Sequence, residues 1–387
     1  MTMAAPHAFA TELAVALTAV SAAARVARHV QATLVPIQDR VIKEDKSPVT
    51  VADFASQAVV AYYLKRHFAA DRIVGEEDAA AVRERPDLAK RVVDAIRHAM
   101  VGEPAAAAAT DDEGRTRLFS ALIVLTTDHS STMQWLGLID HASTAARGPI
   151  SATERFWTLD PIDGTKGFLR RQQYAVCLAL LDAQQTVQVG VLACPNMPFP
   201  SLTSSPTATT GSLAWAVRGH GAWHAPLADT DPLSATPLTV APRTSATLTV
   251  IESYESAHAN HALSQRVQAR LAVPTSVVRM DSQAKYLAVA RGDAHVYLRV
   301  VGDVHYREKI WDHAAGALIV HEAGAAAVDV TGRALEFPRE GVMSRNVGVV
   351  ATVREDGLLE KVVKAVQGDE DFARYAATVP SGASPKM

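Results

Sequence analysis

Apolar residues recur along this chain in two periods. Leu13, Leu17, Val20, Ala24 and Ala27 return every three or four positions, which predicts an amphipathic first helix. Thr50 and Asp53 form a capping box ahead of a second helix over residues 55–62. Shorter apolar runs at 155–159, 174–181, 187–192, 212–217 and 221–225 read as strands, the middle and last two forming consecutive pairs. Pro161 is expected to stop the first of these, because proline gives no N–H to a ladder. Between the early helices and these strands, residues 79–152 form a polar, alanine-studded insertion, whose 103–113 portion has little periodicity and reads as a surface loop. Residues 201–211, rich in Ser, Thr and Pro, read as another loop. The proline-containing segment 232–242 marks an expected boundary, giving an α+β subdomain over 1–240 and an α/β subdomain over 241–387. The tail after Gly368 is polar, and no internal repeat is present.

Composition narrows the class. A formal net charge of −3 over 387 residues argues against an electrostatic nucleic-acid binder. The two cysteines, Cys177 and Cys194, lie in apolar sequence and read as reduced core residues. No unbroken apolar run reaches the length needed to span a bilayer, so no membrane partner is expected. Residues 8–34 are rich in Ala and Val and carry Arg25, Arg28 and His29 beside a single acid, Glu12, a composition shared with organellar transit segments. The helical spacing favours a helix packed on the fold instead. Pro385-Lys386-Met387 is a loose relative of a peroxisomal ending. The expectation is a cytoplasmic monomer, with mitochondrial or peroxisome-like location as the alternative.

Candidate chemistry is concentrated in acidic motifs. Asp160-Pro161-Ile162-Asp163-Gly164-Thr165 places two carboxylates at the end of a buried strand, with a glycine that permits close backbone approach. Backbone N–H groups around Gly164 and Thr165 can face an anion, and hard cations such as Mg²⁺ prefer oxygen ligands of this kind. An Asp-Pro turn with capping is the competing explanation. Gly75-Glu76-Glu77-Asp78 follows an apolar strand end, and its carboxylates repel one another unless solvent or a cation screens them. Trp311-Asp312-His313-Ala314-Ala315-Gly316 reads as the start of a helix ending at Gly324, with Asp312 at its positive end, where capping is the ordinary role. His313 reads as a packing or hydrogen-bonding residue, since no zinc-type ligand spacing accompanies it.

Taken in order, Lys46-Ser47-Pro48-Val49-Thr50 with Asp53, then Val74-Gly75-Glu76-Glu77, Asp160 to Arg170 and Trp311 to Gly316, resemble the lithium-sensitive, Mg²⁺-dependent inositol monophosphatase and fructose-1,6-bisphosphatase superfamily. The resemblance covers roughly 41–352. The extended runs DGTKGFLR and KIWDHAAG are similar to those of one branch, the 3′(2′),5′-bisphosphate nucleotidases. This implies a layered αβαβα sandwich. It also implies that Glu76, Asp160, Asp163, Asp312 and the Ile162 carbonyl hold two or three Mg²⁺ ions. Asp53 and Thr165 would then activate water, and Gly164 and Thr165 would hold the phosphate. By the same resemblance His258, Ser282, Lys285 and Arg299 contact a nucleotide and its unhydrolysed phosphate, although Ser282 to Lys285 also fits an exposed helix start and Arg299 an ordinary strand position.

The implied reaction removes the 3′-phosphate of 3′-phosphoadenosine 5′-phosphate, giving AMP, and that of 3′-phosphoadenylyl sulfate, with lithium sensitivity. Inositol polyphosphate 1-phosphatase or inositol monophosphatase activity is the alternative. A non-catalytic nucleotide- or metal-sensing module is a third reading. Two departures from the family pattern concern the substrate loop: Arg171-Gln172 stands where relatives have Gly and an acid, and Ala325 replaces a second glycine.

Overall fold

The computed structural model describes residues 8–33, 40–42, 48–101, 129–143, 149–204, 210–228, 235–240, 245–256, 259–303, 305–355 and 357–378. His258, the 103–113 segment, the junctions 205–209, 229–234 and 241–244, and the chain end lie outside them.

Strands β1 (Arg40–Ile42) and β2 (Pro48–Thr50) form a small antiparallel pair. Seven strands form the larger sheet in sequence order: β3 (Arg72–Gly75), β4 (Phe156–Asp163), β5 (Ala175–Leu181), β6 (Val187–Pro198), β7 (Thr210–Val217), β8 (Ala222–Pro226) and β9 (Thr236–Leu238). Only β3 and β4 run parallel, and each later neighbour is antiparallel. The expected pairing of β5 with β6 and of β7 with β8 is found. A second sheet holds β10 (Leu248–Glu252), β11 (Thr275–Arg279), β12 (Val296–Arg299), β13 (Ala326–Val328) and β14 (Val349–Thr352) in the order β11-β10-β12-β14-β13.

The alternation of side chains along each strand sorts them into two cores. On β5, Val176, Leu178 and Leu180 face one core, while Ala175, Cys177, Ala179 and Leu181 face the other. The first core is covered by the helices Ala10–Thr33, Val51–His67, Pro86–Val101 and His129–His141. The second lies under Ala284–Ala290 and Ala314–Glu322, which also pack against the five-stranded sheet. The helices His261–Arg270 and Leu358–Gln367 close the outer face of that sheet. The result is the expected αβαβα layering. Small residues let the middle layers approach: a Cβ on Gly190 of β6 would stand 2.9 Å from the Ala315 carbonyl oxygen.

Ala10–Thr33 is long and apolar enough, by length and composition alone, to cross a membrane, although Glu12, Thr18 and Ser21 interrupt its apolar run. In the fold its Ala16, Ala19, Val20, Ala23, Ala24 and Ala27 are fully buried, and the helix packs on Val51–His67.

Candidate active site

Pro161 does not stop β4. The strand runs to Asp163 through a bulge in which Asp160 pairs with Cys177 and Asp163 with Ala175. Pro161 and Ile162 therefore oppose Val176 alone. In a regular strand, residues three apart point to opposite faces. The extra residue restores their parity, so Asp160 and Asp163 share the face that looks toward Ala314–Glu322. Missing the N–H of Pro161 weakens the ladder where the bulge forms, while the Ile162 N–H donates to Asp160 Oδ1 at 3.0 Å.

The parallel β3 ladder sets Gly75 beside Leu159, so Glu76 enters next to Asp160. Buried Gln57 brackets this loop: Nε2 donates to the Glu77 and Ile139 carbonyls at 2.6 and 3.0 Å, and Oε1 accepts the Glu77 N–H at 3.1 Å. The three consecutive acids thus part company. Glu76 lines the site, Glu77 is buried, and Asp78 accepts the Ala80 N–H at 2.8 Å.

Asp312 occupies a 3₁₀ turn, Ile310–Asp312, and the following helix begins only at Ala314. Asp312 therefore does not cap that helix, contrary to the ordinary expectation, and the helix ends at Glu322. Its carboxylate meets those of Asp160 and Asp163, with ligand atoms of all three within 4.8 Å of one another. Burial pushes the Asp160 carboxyl well above the carboxylate range, and Glu76, Asp163, Asp312 and Asp53 push the same way. Asp312 is raised likewise, by burial and then by Asp163. Asp163 is raised to about 6 by burial, against Lys285, the Gln283 N–H and Arg299. Like charges this close cannot all ionise readily without a compensating positive charge. An all-oxygen set of carboxylates, with the Ile162 carbonyl alongside, suits a hard divalent cation. A second acidic group, Glu308 with Asp312 and His313, is different. Glu308 already holds Arg299 at 2.8 Å and His313 Nε2 at 3.0 Å, so its charge is balanced.

The capping box is found as expected, with Asp53 Oδ2 accepting from the Thr50 N–H at 2.8 Å and the Thr50 hydroxyl at 2.7 Å. That leaves Oδ1 toward Thr165, whose hydroxyl lies 3.4 Å from it and 3.3 Å from the Ile162 carbonyl oxygen. Capping and an active-site contact are thus compatible for Asp53, using different oxygens. In the helix Thr165–Leu169, the first internal hydrogen bond is from Phe168 N to Gly164 O at 2.9 Å. Backbone N–H groups before Phe168 have no intrahelical acceptor. Gly164 has a φ of +87°, and a Cβ there would stand 3.1 Å from Ser282 Cβ. Glycine lets this turn seat directly on Asp281 and Ser282.

Ser282 and Lys285 are buried, not an exposed helix start. Ser282 has a φ of +69°, a left-handed conformation uncommon for a side-chain-bearing residue. Lys285 Nζ donates to the Ser282 and Met280 carbonyls at 2.7 and 3.3 Å, and burial lowers its pKa to about 8. Arg299 is buried against Glu308. Burial opposes ionisation of Glu308, but Arg299 and then His313 hold its carboxyl well below the usual range. His313 Nδ1 meets the Tyr286 hydroxyl at 2.8 Å, as expected for a hydrogen-bonding histidine. Cys177 is less apolar in setting than its sequence suggests, since Sγ lies 3.9 Å from Asp163 Oδ2.

Sequence reasoning missed a cationic bridge. Arg170 pairs with Glu255 at 2.5 Å and with Asp281, and lies 4.5 Å over the exposed Tyr254 ring. Lys166 joins Glu255 at 3.3 Å. No local pattern links Arg170 to residues 85 or 111 positions away. Of the two sequence departures, Arg171 takes a left-handed φ of +57°, whereas Ala325 is not among the positive-φ residues and Gly324 supplies the turn.

The match to known proteins extends over nearly the whole chain. A 3′(2′),5′-bisphosphate nucleotidase of Oryza sativa is 37% identical over 95% of this chain and 96% of its own length. The 3′(2′),5′-bisphosphate nucleotidase 1 of Candida albicans strain SC5314 is 36% identical over 93% and 96%. In three dimensions, the extragenic suppressor protein suhB of Bartonella henselae superimposes with a TM-score of 0.57 at 16% identity, over 93% of this chain and 99% of that one, which speaks to the fold. Residues 133–368 match the inositol monophosphatase family model, and with this fold and these relatives the chain belongs to the inositol monophosphatase family.

Proposed function

We propose that this chain is a Mg²⁺-dependent phosphomonoesterase that removes the 3′-phosphate of 3′-phosphoadenosine 5′-phosphate and of 3′-phosphoadenylyl sulfate. Its family is generally Mg²⁺-dependent, and a small phosphorylated substrate is consistent with that membership. The observation that carries the hydrolytic reading is the convergence of Asp160, which is buried, with the partly buried Asp163 and Asp312, whose like charges need protons or a cation. The nucleotide rests on the relatives named 3′(2′),5′-bisphosphate nucleotidase.

In this reading Glu76, Asp160, Asp163, Asp312 and the Ile162 carbonyl would hold two or three Mg²⁺ ions. Bound there, the ions would supply the charge that lowers the pKa of an attacking water and stabilises the leaving oxygen. Asp53, pinned through Oδ2 by Thr50, would use Oδ1 to orient the Thr165 hydroxyl and receive a proton through it. Backbone N–H groups at Gly164 and Thr165 would hold phosphate oxygens. Arg299, Lys285 and Ser282 would face the nucleotide, the first two adding positive potential from beneath the surface, and His258 is assigned the same role by resemblance. A cytoplasmic monomer, split into subdomains near residue 240, completes the proposal.

The test is phosphate release from 3′-phosphoadenosine 5′-phosphate with Mg²⁺, beside inositol 1-phosphate and inositol 1,4-bisphosphate, using Asp160→Asn as control. Preferential release from the nucleotide, lost in the variant and inhibited by millimolar lithium, is expected. Preference for an inositol phosphate would overturn the nucleotide assignment. Binding of Mg²⁺ and nucleotide without release would leave a sensing module.

A further inference from the structure

We infer that Gln283 is a positioning residue for the carboxylate cluster, fixing the Asp312 turn against Asp163 and thereby setting the Mg²⁺ affinity of the site. The inference rests on the Mg²⁺-dependent reading above.

Besides its bonds within its own helix start, Gln283 makes three hydrogen bonds that reach two of the acidic motifs. Its backbone N–H donates to Asp163 Oδ2 at 2.5 Å. Its side-chain Nε2 donates to the Trp311 carbonyl at 2.7 Å, and Oε1 accepts the Gly316 N–H at 2.8 Å. The last two groups flank Asp312, so one amide brackets the turn that carries it. The residue is 1% exposed, and water has little access to substitute for these partners.

The turn's own backbone bonds, from the Asp312 N–H to the Lys309 carbonyl and from the His313 N–H to the Ile310 carbonyl at 3.2 Å each, do not reach the start of the following helix. His313 stands at the N-cap of Ala314–Glu322 yet makes no side-chain cap, because its ring nitrogens are engaged by Tyr286 and Glu308. The N–H groups of a helix's first turn lack internal acceptors, and Gln283 satisfies that of Gly316 from another element. Ser282, directly before it, has the left-handed backbone that delivers the Gln283 N–H to Asp163. Groups that orient metal ligands from behind typically change affinity by about 10- to 100-fold when removed.

Two variants separate positioning from stability. Gln283→Met keeps the length and the backbone contact but removes both side-chain bonds, and Gln283→Asn leaves an amide too short to span both partners. The full chain, stripped of metal, is titrated with MgCl₂ by calorimetry without substrate, alongside a thermal melt. Mg²⁺ affinity should fall about 10-fold or more in both variants. The KM for nucleotide at saturating Mg²⁺ should change less than about 3-fold, since Gln283 lies behind the cluster. Should Gln283→Met not fold, Gln283→Asn decides. A parent that titrates normally beside a folded variant within about twofold of its affinity would overturn this inference alone, whatever happens to the melting temperature. A parent that binds no Mg²⁺ would overturn the proposed function and this inference with it.

Discussion

Two charge clusters meet at the 308–313 turn, and they obey opposite rules. In Asp160, Asp163 and Asp312, burial and neighbouring carboxylates mostly push the same way, toward protonation. In Glu308, burial is overruled by Arg299 and His313, so the carboxyl stays ionised. Burial alone therefore does not decide the charge of an interior acid. The sign of its neighbours does. One cluster is complete as it stands, whereas the other is complete only with protons or a cation.

The most severe way to break the contrast is Asp160→Asn. It should lower the rate of phosphate release on the order of 10³-fold or more, the range carried by charge-stabilising groups in phosphoryl transfer. Activity within tenfold of the parent would remove Asp160 from the machinery. Glu308→Gln attacks the balanced cluster instead. Leaving Arg299 buried without its counter-charge should cost about 3–5 kcal/mol in urea unfolding. A loss below about 1 kcal/mol would mean that the pair is dispensable.

Titration sharpens the same comparison. The Asp163 carboxyl is raised from 3.8 to about 6, so the folded state keeps a proton that the unfolded chain releases. Its contribution is full below the unfolded value and lost as pH rises through the folded one. In metal-free buffer, Asp163→Asn should gain thermal stability relative to the parent as pH rises from about 4 to about 6. Saturating Mg²⁺ should shrink or reverse that gain. Glu308 has the opposite sign, because its pKa is depressed: its stabilisation is present above the ordinary 4.5 and disappears as pH falls below it. A flat difference for Asp163→Asn across the window would contradict the unbalanced cluster. The smallest effect concerns Arg171, outside both clusters. Replacing its left-handed backbone by glycine in Arg171→Gly should stabilise by about 0.5–1 kcal/mol, measurable as a shifted urea midpoint.

These clusters also mark where sequence was and was not legible. Paired strands and the capping box were readable, because each depends on spacing within a few residues, whereas the layering came from the family resemblance. The acidic motifs were legible as motifs. What they share, a single face, was not, since the bulge at Pro161 follows from pairing with Cys177 and Ala175 on another strand. The bracketing by Gln283 spans 28 and 33 residues, beyond any local pattern, and burial overturned the exposed reading of Ser282 to Lys285. Asp312 read as a cap because 3₁₀ turns leave no clear periodic signature.

The bulge also behaves as a parity switch written into the backbone. A pleated strand assigns side chains to its faces by odd and even count, and one surplus residue between Asp160 and Asp163 inverts that assignment for everything after it. Deleting either Pro161 or Ile162 would remove neither acid, and two residues of separation would still place both on one face. Removing the bulge at constant length would instead send one acid into each core. A graft of this motif onto another sheet must therefore carry its irregular ladder along with its residues, or the two oxygens will end up on opposite sides of a wall.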